Sequence, residues 1–352
     1  MANMSQAIRM ALHVGETHLG VKDIFGEDVG EPLGGVFTAT QGLKTTWNSP
    51  LDERGIVGCA AGIALTGQRC VAEIQFCDYI FNTIDLLKIV GNTHWVSHSN
   101  YNMPMVLMTP VGSGIHGSIY HSHSFESWAS RIPGWKVVMP STPIDAYGLM
   151  LSAIEDPNPV LFLKPKALLR VRGEELLPGE PADEKELKAM IDAPLGDRTK
   201  WKAKWPPVDE NFRVPIGQAR IRREGDAATV VSYGRTLPLS IKAADELRSE
   251  GVNVEVIDMR SIYPYDWQTL KTSIAKTRRV LFVNEDTEVS NFGEHLAYRV
   301  TQELFYQILA RPRVLAGKQI PGIGLHSNYE DASVPQYRDI IAEMRELLAE
   351  VP

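Results

Sequence analysis

The chain has 352 residues, 44% hydrophobic and 22% charged, and its formal net charge is −7. This size and balance predict a globular protein of about two domains. The acidic charge and the lack of a Lys/Arg cluster beside aromatic residues argue against nucleic-acid binding. No apolar run approaches the about 18 residues that cross a bilayer, and the N-terminus lacks a basic and apolar leader. We therefore expect no membrane partner, and a location in the cytoplasm or, in a eukaryote, the mitochondrial matrix.

Apolar strand-like runs alternate with helix-period segments along residues 1–170, a pattern typical of parallel sheets covered by helices on both faces. The predicted helices span 6–18, 55–65, 79–95, 125–130 and 143–154, and the predicted strands span 69–75, 103–109, 136–140 and 160–163. Polar, Gly-rich or Pro-containing residues follow each strand. Open α/β sheets bind their ligands at this carboxyl end of the strands.

The pattern breaks over residues 171–215 into charge, proline and two tryptophans, Trp201 and Trp205. Because so long a connection is uncommon within a compact domain, we predict an interdomain linker carrying an insertion. Over residues 216–352 a second α/β set follows, with strands at 228–233, 253–258 and 280–284 and helices at 237–250, 266–275, 293–309 and 334–350. The predicted fold class is α/β, with two tandem doubly wound domains at 1–170 and 216–352.

Three stretches, at 48–58, 73–81 and 114–124, each placed where a strand would give way to a helix or loop, carry the candidate chemistry. They contribute one carboxylate, Glu53, an aromatic ring, Tyr79, and an imidazole, His121. Taken alone, an acidic residue such as Glu53 in the first turn of a helix is equally explained by the helix macrodipole. The company of Gln75 and Tyr79 favours a site, because consecutive parallel strands bring their ends side by side.

Several motifs occur in a recognisable order: Phe25-Gly-Glu-Asp-Val29, Glu73-Ile-Gln-Phe-Cys-Asp-Tyr-Ile-Phe81, His121-Ser-His-Ser124 and Pro133-Gly-Trp-Lys-Val-Val-Met-Pro140. From about residue 5 to residue 310 the chain resembles the beta subunit of the thiamine-diphosphate-dependent 2-oxo acid dehydrogenase component. The resemblance implies a transketolase-like pyrimidine-binding domain followed by a transketolase C-terminal-like domain. The 73–81 motif and the long insertion resemble the branched-chain, or 2-oxoisovalerate, type. The pyruvate and acetoin types are the alternatives.

The resemblance also implies a role for each candidate residue. Glu53 matches the carboxylate that hydrogen-bonds the N1′ atom of the coenzyme's aminopyrimidine. Leu51 and Gln75 match residues that line the pyrimidine pocket, and Tyr79 matches an aromatic that stacks on the ring. His121 matches a histidine that interacts with the substrate or the lipoyl sulfur. The implied activity is oxidative decarboxylation of a branched-chain 2-oxo acid with reductive acylation of a lipoyl group.

The chain lacks the Gly-Asp-Gly motif with which thiamine enzymes that act alone hold magnesium on the diphosphate; neither Gly196-Asp197 nor Gly225-Asp226 is followed by the needed glycine. The resemblance implies that an alpha subunit supplies the magnesium half in an α2β2 heterotetramer, and that a lipoyl-bearing acyltransferase core is the further partner. Ala153, Asp156 and Asn158 resemble a loop that binds potassium in branched-chain relatives. An ordinary turn at a helix end explains the same residues equally well.

Two other classes of protein compete with this interpretation. In a metal-dependent hydrolase, His116, His121 and His123 would bind one metal ion, although the sequence nearby offers no convincing acidic ligand and general base. In a non-catalytic assembly scaffold, the loop 111–118 would merely connect strands. A scaffold would not need Glu53, Tyr79 and His121 together.

Overall fold

The structure is a computed structural model that describes residues 1–198 and 200–351. Its internal contacts divide the chain into two compact units. Unit 1 comprises Met1–Pro110, Arg131–Lys164 and Leu168–Ile216. Unit 2 comprises Val111–Ser130, Pro165–Ala167 and the described residues from Gly217 onward. The segment 111–130, which the sequence placed in the first domain, therefore packs within unit 2.

Helices and strands alternate through both units, and most lie close to their predicted positions. Up to residue 216 they are α1 Met4–His18, β1 Val21–Gly26, β2 Thr46–Asn48, α2 Glu53–Leu65, β3 Arg69–Glu73, α3 Ile84–Val96, β4 Met105–Val111, α4 Glu126–Ala129, β5 Lys136–Val138, α5 Pro143–Glu155, β6 Val160–Pro165 and α6 Glu184–Ile191. Beyond it they are β7 Arg220–Arg223, β8 Ala228–Ser232, α7 Thr236–Ser249, β9 Val254–Asp258, β10 Ser261–Tyr263, α8 Trp267–Thr277, β11 Val280–Thr287, α9 Phe292–Leu304, β12 Arg313–Gly317, α10 Ser327–Ser333 and α11 Tyr337–Ala349. Among the described residues, no helix combines the length and the apolar character that a membrane crossing requires.

The sheet of unit 1 brings the carboxyl ends of three strands together. Its strands run in the order β5-β6-β4-β3-β1-β2. The β1–β2 and β1–β3 pairs are parallel, and Gly26 at the end of β1 is in register with both Asn48 and Glu73. The sequence did not predict β1, whose apolar residues are interrupted by Lys22 and Asp23, or β2, a half-exposed edge strand of three residues.

A charged pair lies inside unit 1, where neither partner reaches water. Glu73 ends β3 and Lys164 lies on β6; the Lys164 ammonium donates to Glu73 Oε2, and both side chains are 0% exposed. Burying a charge is costly unless it is paired, so each of these residues depends on the other.

The segment predicted as an interdomain linker, 171–215, instead packs on unit 1. Helix α6 buries Leu187 and Ile191, which lie one helical turn apart, in the core that α1 and α5 also form. The buried Arg9 of α1 donates to the Ile191 carbonyl at 2.5 Å, and Trp205 stacks on His13 with ring centroids 4.1 Å apart. The sequence analysis did not predict this packing, because the apolar residues of the segment that make these contacts are few and widely spaced among charged residues and prolines.

The sheet of unit 2 has the order β12-β11-β8-β9-β7. Its pairs are parallel except for β7, which lies antiparallel to β9 at one edge. The sequence did not predict β7, whose Arg-Ile-Arg-Arg composition is typical of an edge strand protected by charge. The core of unit 2 lies between this sheet and the helices α7 and α11.

Candidate active site

The loops that follow β1, β2 and β3 carry most of the predicted site residues, and the strand register places the starts of these loops side by side. Gly26 allows the close approach of two of them, because a Cβ atom there would lie 2.3 Å from the Glu73 carbonyl oxygen. Any larger residue at position 26 would push β1 away from β3.

Glu53 is the first residue of α2, and only 9% of it is exposed. Its Oε2 atom accepts a hydrogen bond of 3.3 Å from the Asn82 side-chain amide. Leu51, two residues earlier, is 81% exposed. The loop after β2 thus carries an exposed apolar side chain, Leu51, and leads to the largely buried carboxylate of Glu53.

Gln75 and Tyr79 follow β3. The Gln75 amide donates to Asp28 Oδ2 at 3.0 Å, which ties the loop after β3 to the loop after β1. Tyr79 packs edge-on against Phe76, and burial together with the charges of Asp78, Glu53 and Glu27 raises its pKa. Tyr79 therefore lies within electrostatic range of Glu53.

Glu27 is a member of this cluster that the sequence analysis did not single out. Burial raises the pKa of its carboxyl, and the neighbouring charges of Glu53 and Asp28 raise it further. Its Oε1 atom is buried and has no hydrogen-bond partner among the described residues. The only signal in the sequence was the motif Phe25–Val29, in which the acidic pair Glu27-Asp28 follows Phe25 and Gly26.

The polar and aromatic side chains of this cluster fit an aminopyrimidine. A ring nitrogen that carries a proton needs a carboxylate acceptor, a flat ring needs an aromatic neighbour, and exocyclic polar groups need an amide. Glu53, Tyr79 and Gln75 are those three groups. The unsatisfied Oε1 atom of Glu27 adds a further acceptor.

His121 lies in unit 2, on the segment 111–130, where it is half-buried and its backbone N–H points to the Ser118 carbonyl at 3.5 Å. The side chain of His116, five residues earlier, is 55% exposed. Within residues 1–198 and 200–351, no three His, Cys, Asp or Glu side chains are arranged to hold a metal ion. His116, His121 and His123 therefore do not form the metal site that a hydrolase would need.

The loop with the predicted potassium ligands follows α5. Asp156 Oδ1 accepts the backbone N–H of Asn158 at 3.0 Å, and its Oδ2 accepts from the Lys136 ammonium. The carboxylate is therefore already neutralised, which does not fit a free ligand for a cation. The Ala153 carbonyl differs, because residue 157 is a proline and has no N–H to continue the helical hydrogen bonds.

A pocket of about 460 Å³ in unit 1 lies away from these residues. It is lined by the loop of Gly30–Thr46 and by the insertion, including Gln41, Arg198 and Trp201. None of Leu51, Glu53, Gln75 and Tyr79 lines it.

Comparison with known families matches each half of the chain. Residues 2–172 match the family "Transketolase, pyrimidine binding domain" and residues 217–340 match "Transketolase, C-terminal domain". A solved structure of a split-gene transketolase, an inactive beta4 tetramer, covers 99% of this chain with a TM-score of 0.69 at 15% identity, and 98% of that structure's chain is covered. The predicted fold class is confirmed.

Curated relatives match over nearly the whole chain. The chain is 33% identical to 2-oxoisovalerate dehydrogenase subunit beta of Bacillus subtilis (strain 168), over 92% of this chain and 91% of the relative. It is 34% identical to the subunit of the same name from Pseudomonas aeruginosa, over 90% and 87%. It is also 34% identical to pyruvate dehydrogenase E1 component subunit beta of Acholeplasma laidlawii, over 98% and 96%. With both transketolase-type domains in place, the chain belongs to the family of beta subunits of thiamine-diphosphate-dependent 2-oxo acid dehydrogenases.

Proposed function

We propose that this chain supplies the aminopyrimidine half of a thiamine diphosphate site in a dehydrogenase that decarboxylates a branched-chain 2-oxo acid and acylates a lipoyl group. The observation that carries the proposal is the largely buried Glu53 carboxylate beside Glu27 and Tyr79, at the carboxyl ends of three parallel strands. The preference for a branched-chain substrate rests on the motif 73–81 and on the insertion.

In this proposal, Glu53 accepts a hydrogen bond from the protonated N1′ atom and holds that proton in place. Thiamine diphosphate, when bound, supplies the carbon nucleophile that adds to the carbonyl of a 2-oxo acid. Tyr79 stacks on the pyrimidine, and Leu51 and Gln75 line its edges. Burial strengthens the hydrogen bond of Glu53, because a charge-assisted bond gains as water is excluded.

His121 is proposed to exchange a proton with the substrate or the lipoyl sulfur. An imidazole suits this task because its ordinary pKa lies near neutrality. The acyl group left after decarboxylation of the 2-oxo acid would pass to a lipoyl group on a dihydrolipoamide acyltransferase core.

The diphosphate and its Mg²⁺ are proposed to be held by an alpha subunit in an α2β2 heterotetramer. Helix α2, which begins at Glu53, has glycines at 58 and 62 on an exposed face, and a Cβ atom at either would meet nothing within 4 Å. Glycine inside a helix costs roughly 1 kcal/mol relative to alanine. No contact among the described residues requires these glycines, so close packing by another subunit accounts for them.

Substrate choice is tested by co-purifying this chain with its native alpha subunit and comparing decarboxylation of 2-oxoisovalerate and pyruvate. We expect a kcat/KM at least about tenfold higher for 2-oxoisovalerate, since a few additional buried methyl groups contribute roughly 1–3 kcal/mol of discrimination. Equal or better use of pyruvate would overturn the branched-chain proposal and leave the cofactor assignment intact.

Potassium is proposed to bind at the end of α5 through the Ala153 carbonyl and the Asn158 side chain. Replacing KCl by LiCl at equal ionic strength is then expected to lower Tm by about 2–4 °C, the shift that roughly 1 kcal/mol produces in domains of this size. Calorimetry of the wild type and of Asn158→Ala measures it. Equal Tm values for the wild type in KCl and LiCl would exclude the potassium site. The Asn158→Ala variant is expected to have the same Tm in both salts.

A further inference from the structure

The loop that leads from β4 to His121 has a strained backbone. His116 and Ser118 have φ values of 56° and 57°, in the left-handed region that residues other than glycine rarely adopt. Such conformations are energetically costly and persist only where neighbouring contacts enforce them. The contacts that hold this loop in its strained conformation come from the C-terminal part of unit 2.

Glu330, on α10, binds the middle of the loop. Its Oε1 accepts the backbone N–H of Gly114, and its Oε2 accepts the backbone N–H of His116 at 2.8 Å. Oε2 also lies 3.4 Å from His116 Nδ1. The Glu330 side chain is 3% exposed, although His116 itself reaches solvent.

Glu285, on β11, binds the start of the loop. Its Oε2 accepts both the backbone N–H of Ser113 at 3.1 Å and the Ser113 hydroxyl at 2.8 Å. The approach is so close that a Cβ atom at Gly112 would lie 2.0 Å from Glu285 Oε1. A glycine at 112 is therefore required for this contact.

Together the two carboxylates receive the backbone N–H groups of residues 113, 114 and 116, all on one short loop. Burying two carboxylates is costly, and the cost is offset only by charge-assisted hydrogen bonds of good geometry. Glu330 in this place holds one particular backbone conformation, since its two oxygens each accept a backbone N–H and a neutral amide side chain has only one such oxygen.

We propose that Glu330 and Glu285 are positioning residues that fix the backbone of residues 113–116 and thereby set the place of His121. This inference rests on the proposed function of His121. Neither carboxylate is assigned a contact with substrate or cofactor. Their effect on the reaction passes through the loop alone.

The test compares Glu330→Gln with Asp331→Asn in the complex with the alpha subunit. Glutamine keeps the shape of the side chain but replaces one acceptor by a donor. Asp331 is the next residue along α10 and is exposed; within the described residues its carboxylate takes part in no hydrogen bond or ion pair, and only its backbone carbonyl accepts from the Gln336 amide, so it serves as the control. Hydrogen exchange at the amides of 113–118 reports directly on the loop. It is expected to rise about tenfold or more in Glu330→Gln only, because that variant loses a hydrogen bond to a charged group.

Activity is measured in two ways, as decarboxylation with an artificial oxidant and as acylation of a lipoyl group. Glu330→Gln is expected to lower kcat for acylation about tenfold while leaving the KM for the 2-oxo acid and the Kd for thiamine diphosphate unchanged. A variant that merely weakened the fold would change these quantities together. His121→Ala, measured in parallel, tests the proposed function separately.

The outcomes are distinguishable. Unchanged exchange in Glu330→Gln overturns the inference at the level of the loop. Faster exchange with unchanged acylation overturns it at the level of positioning, provided that His121→Ala impairs acylation. If His121→Ala retains full acylation, the role proposed for that histidine is wrong, and positioning by Glu330 is overturned with it.

Discussion

Replacing Glu53 by glutamine is expected to lower the decarboxylation rate of the reconstituted complex by about 10²- to 10⁴-fold, the usual contribution of a positioned proton-transfer group. Glutamine preserves the size of the side chain but removes its negative charge, so N1′ loses the charged acceptor that stabilises its proton. The measurement is kcat with saturating thiamine diphosphate, so that weaker binding does not contribute.

The neighbouring Asp52→Asn is the matched control for the Glu53 variant. Asp52 is exposed and its side chain makes no capping hydrogen bond at the start of α2. We expect Asp52→Asn to keep a decarboxylation rate within about twofold of the wild type, since surface substitutions away from special contacts change free energies by about 0.5 kcal/mol or less. Full activity in Glu53→Gln would show that the carboxylate does not serve the coenzyme.

Replacing Lys164 by alanine is expected to lower the free energy of unfolding by about 3–5 kcal/mol, because it leaves the Glu73 carboxylate buried without its partner. Both side chains are 0% exposed, so water cannot take over the role of the ammonium. Urea unfolding at fixed protein concentration measures the change.

The double variant Glu73→Gln/Lys164→Met tests the reason for this loss. With both charges removed and the volumes nearly kept, most of the stability is expected to return. A double variant that is no more stable than Lys164→Ala would mean that packing, and not an uncompensated charge, explains the loss. A stability of Lys164→Ala within about 1 kcal/mol of wild type would contradict the account outright.

The main helices and central strands follow from hydrophobic period, and so does the position of Glu53 at the start of α2. Strands β1 and β2 do not, because Lys22 and Asp23 interrupt the apolar residues of β1 and β2 has only three residues, although their loops complete the cluster around Glu53. The sequence analysis also missed Glu27. Its place in the site depends on the pairing of β1 with β2 and β3, which brings loops from three parts of the chain together.

The surroundings of His121 were beyond reach of sequence patterns. Glu330 and Glu285 lie 214 and 172 residues from the loop amides they bind. No local propensity signals such a contact, and the alternation of strands and helices placed residues 111–130 in the first domain. The insertion was misjudged because Leu187 and Ile191 are a small apolar minority in a charged segment.

The most direct test of the account is calorimetric titration of thiamine diphosphate and Mg²⁺ into this chain alone and into its complex with the alpha subunit. A chain that owns only the pyrimidine half of the site is expected to bind at least about 100-fold more weakly than the complex, a difference of about 2.7 kcal/mol. Equally tight binding by the isolated chain would contradict the shared site.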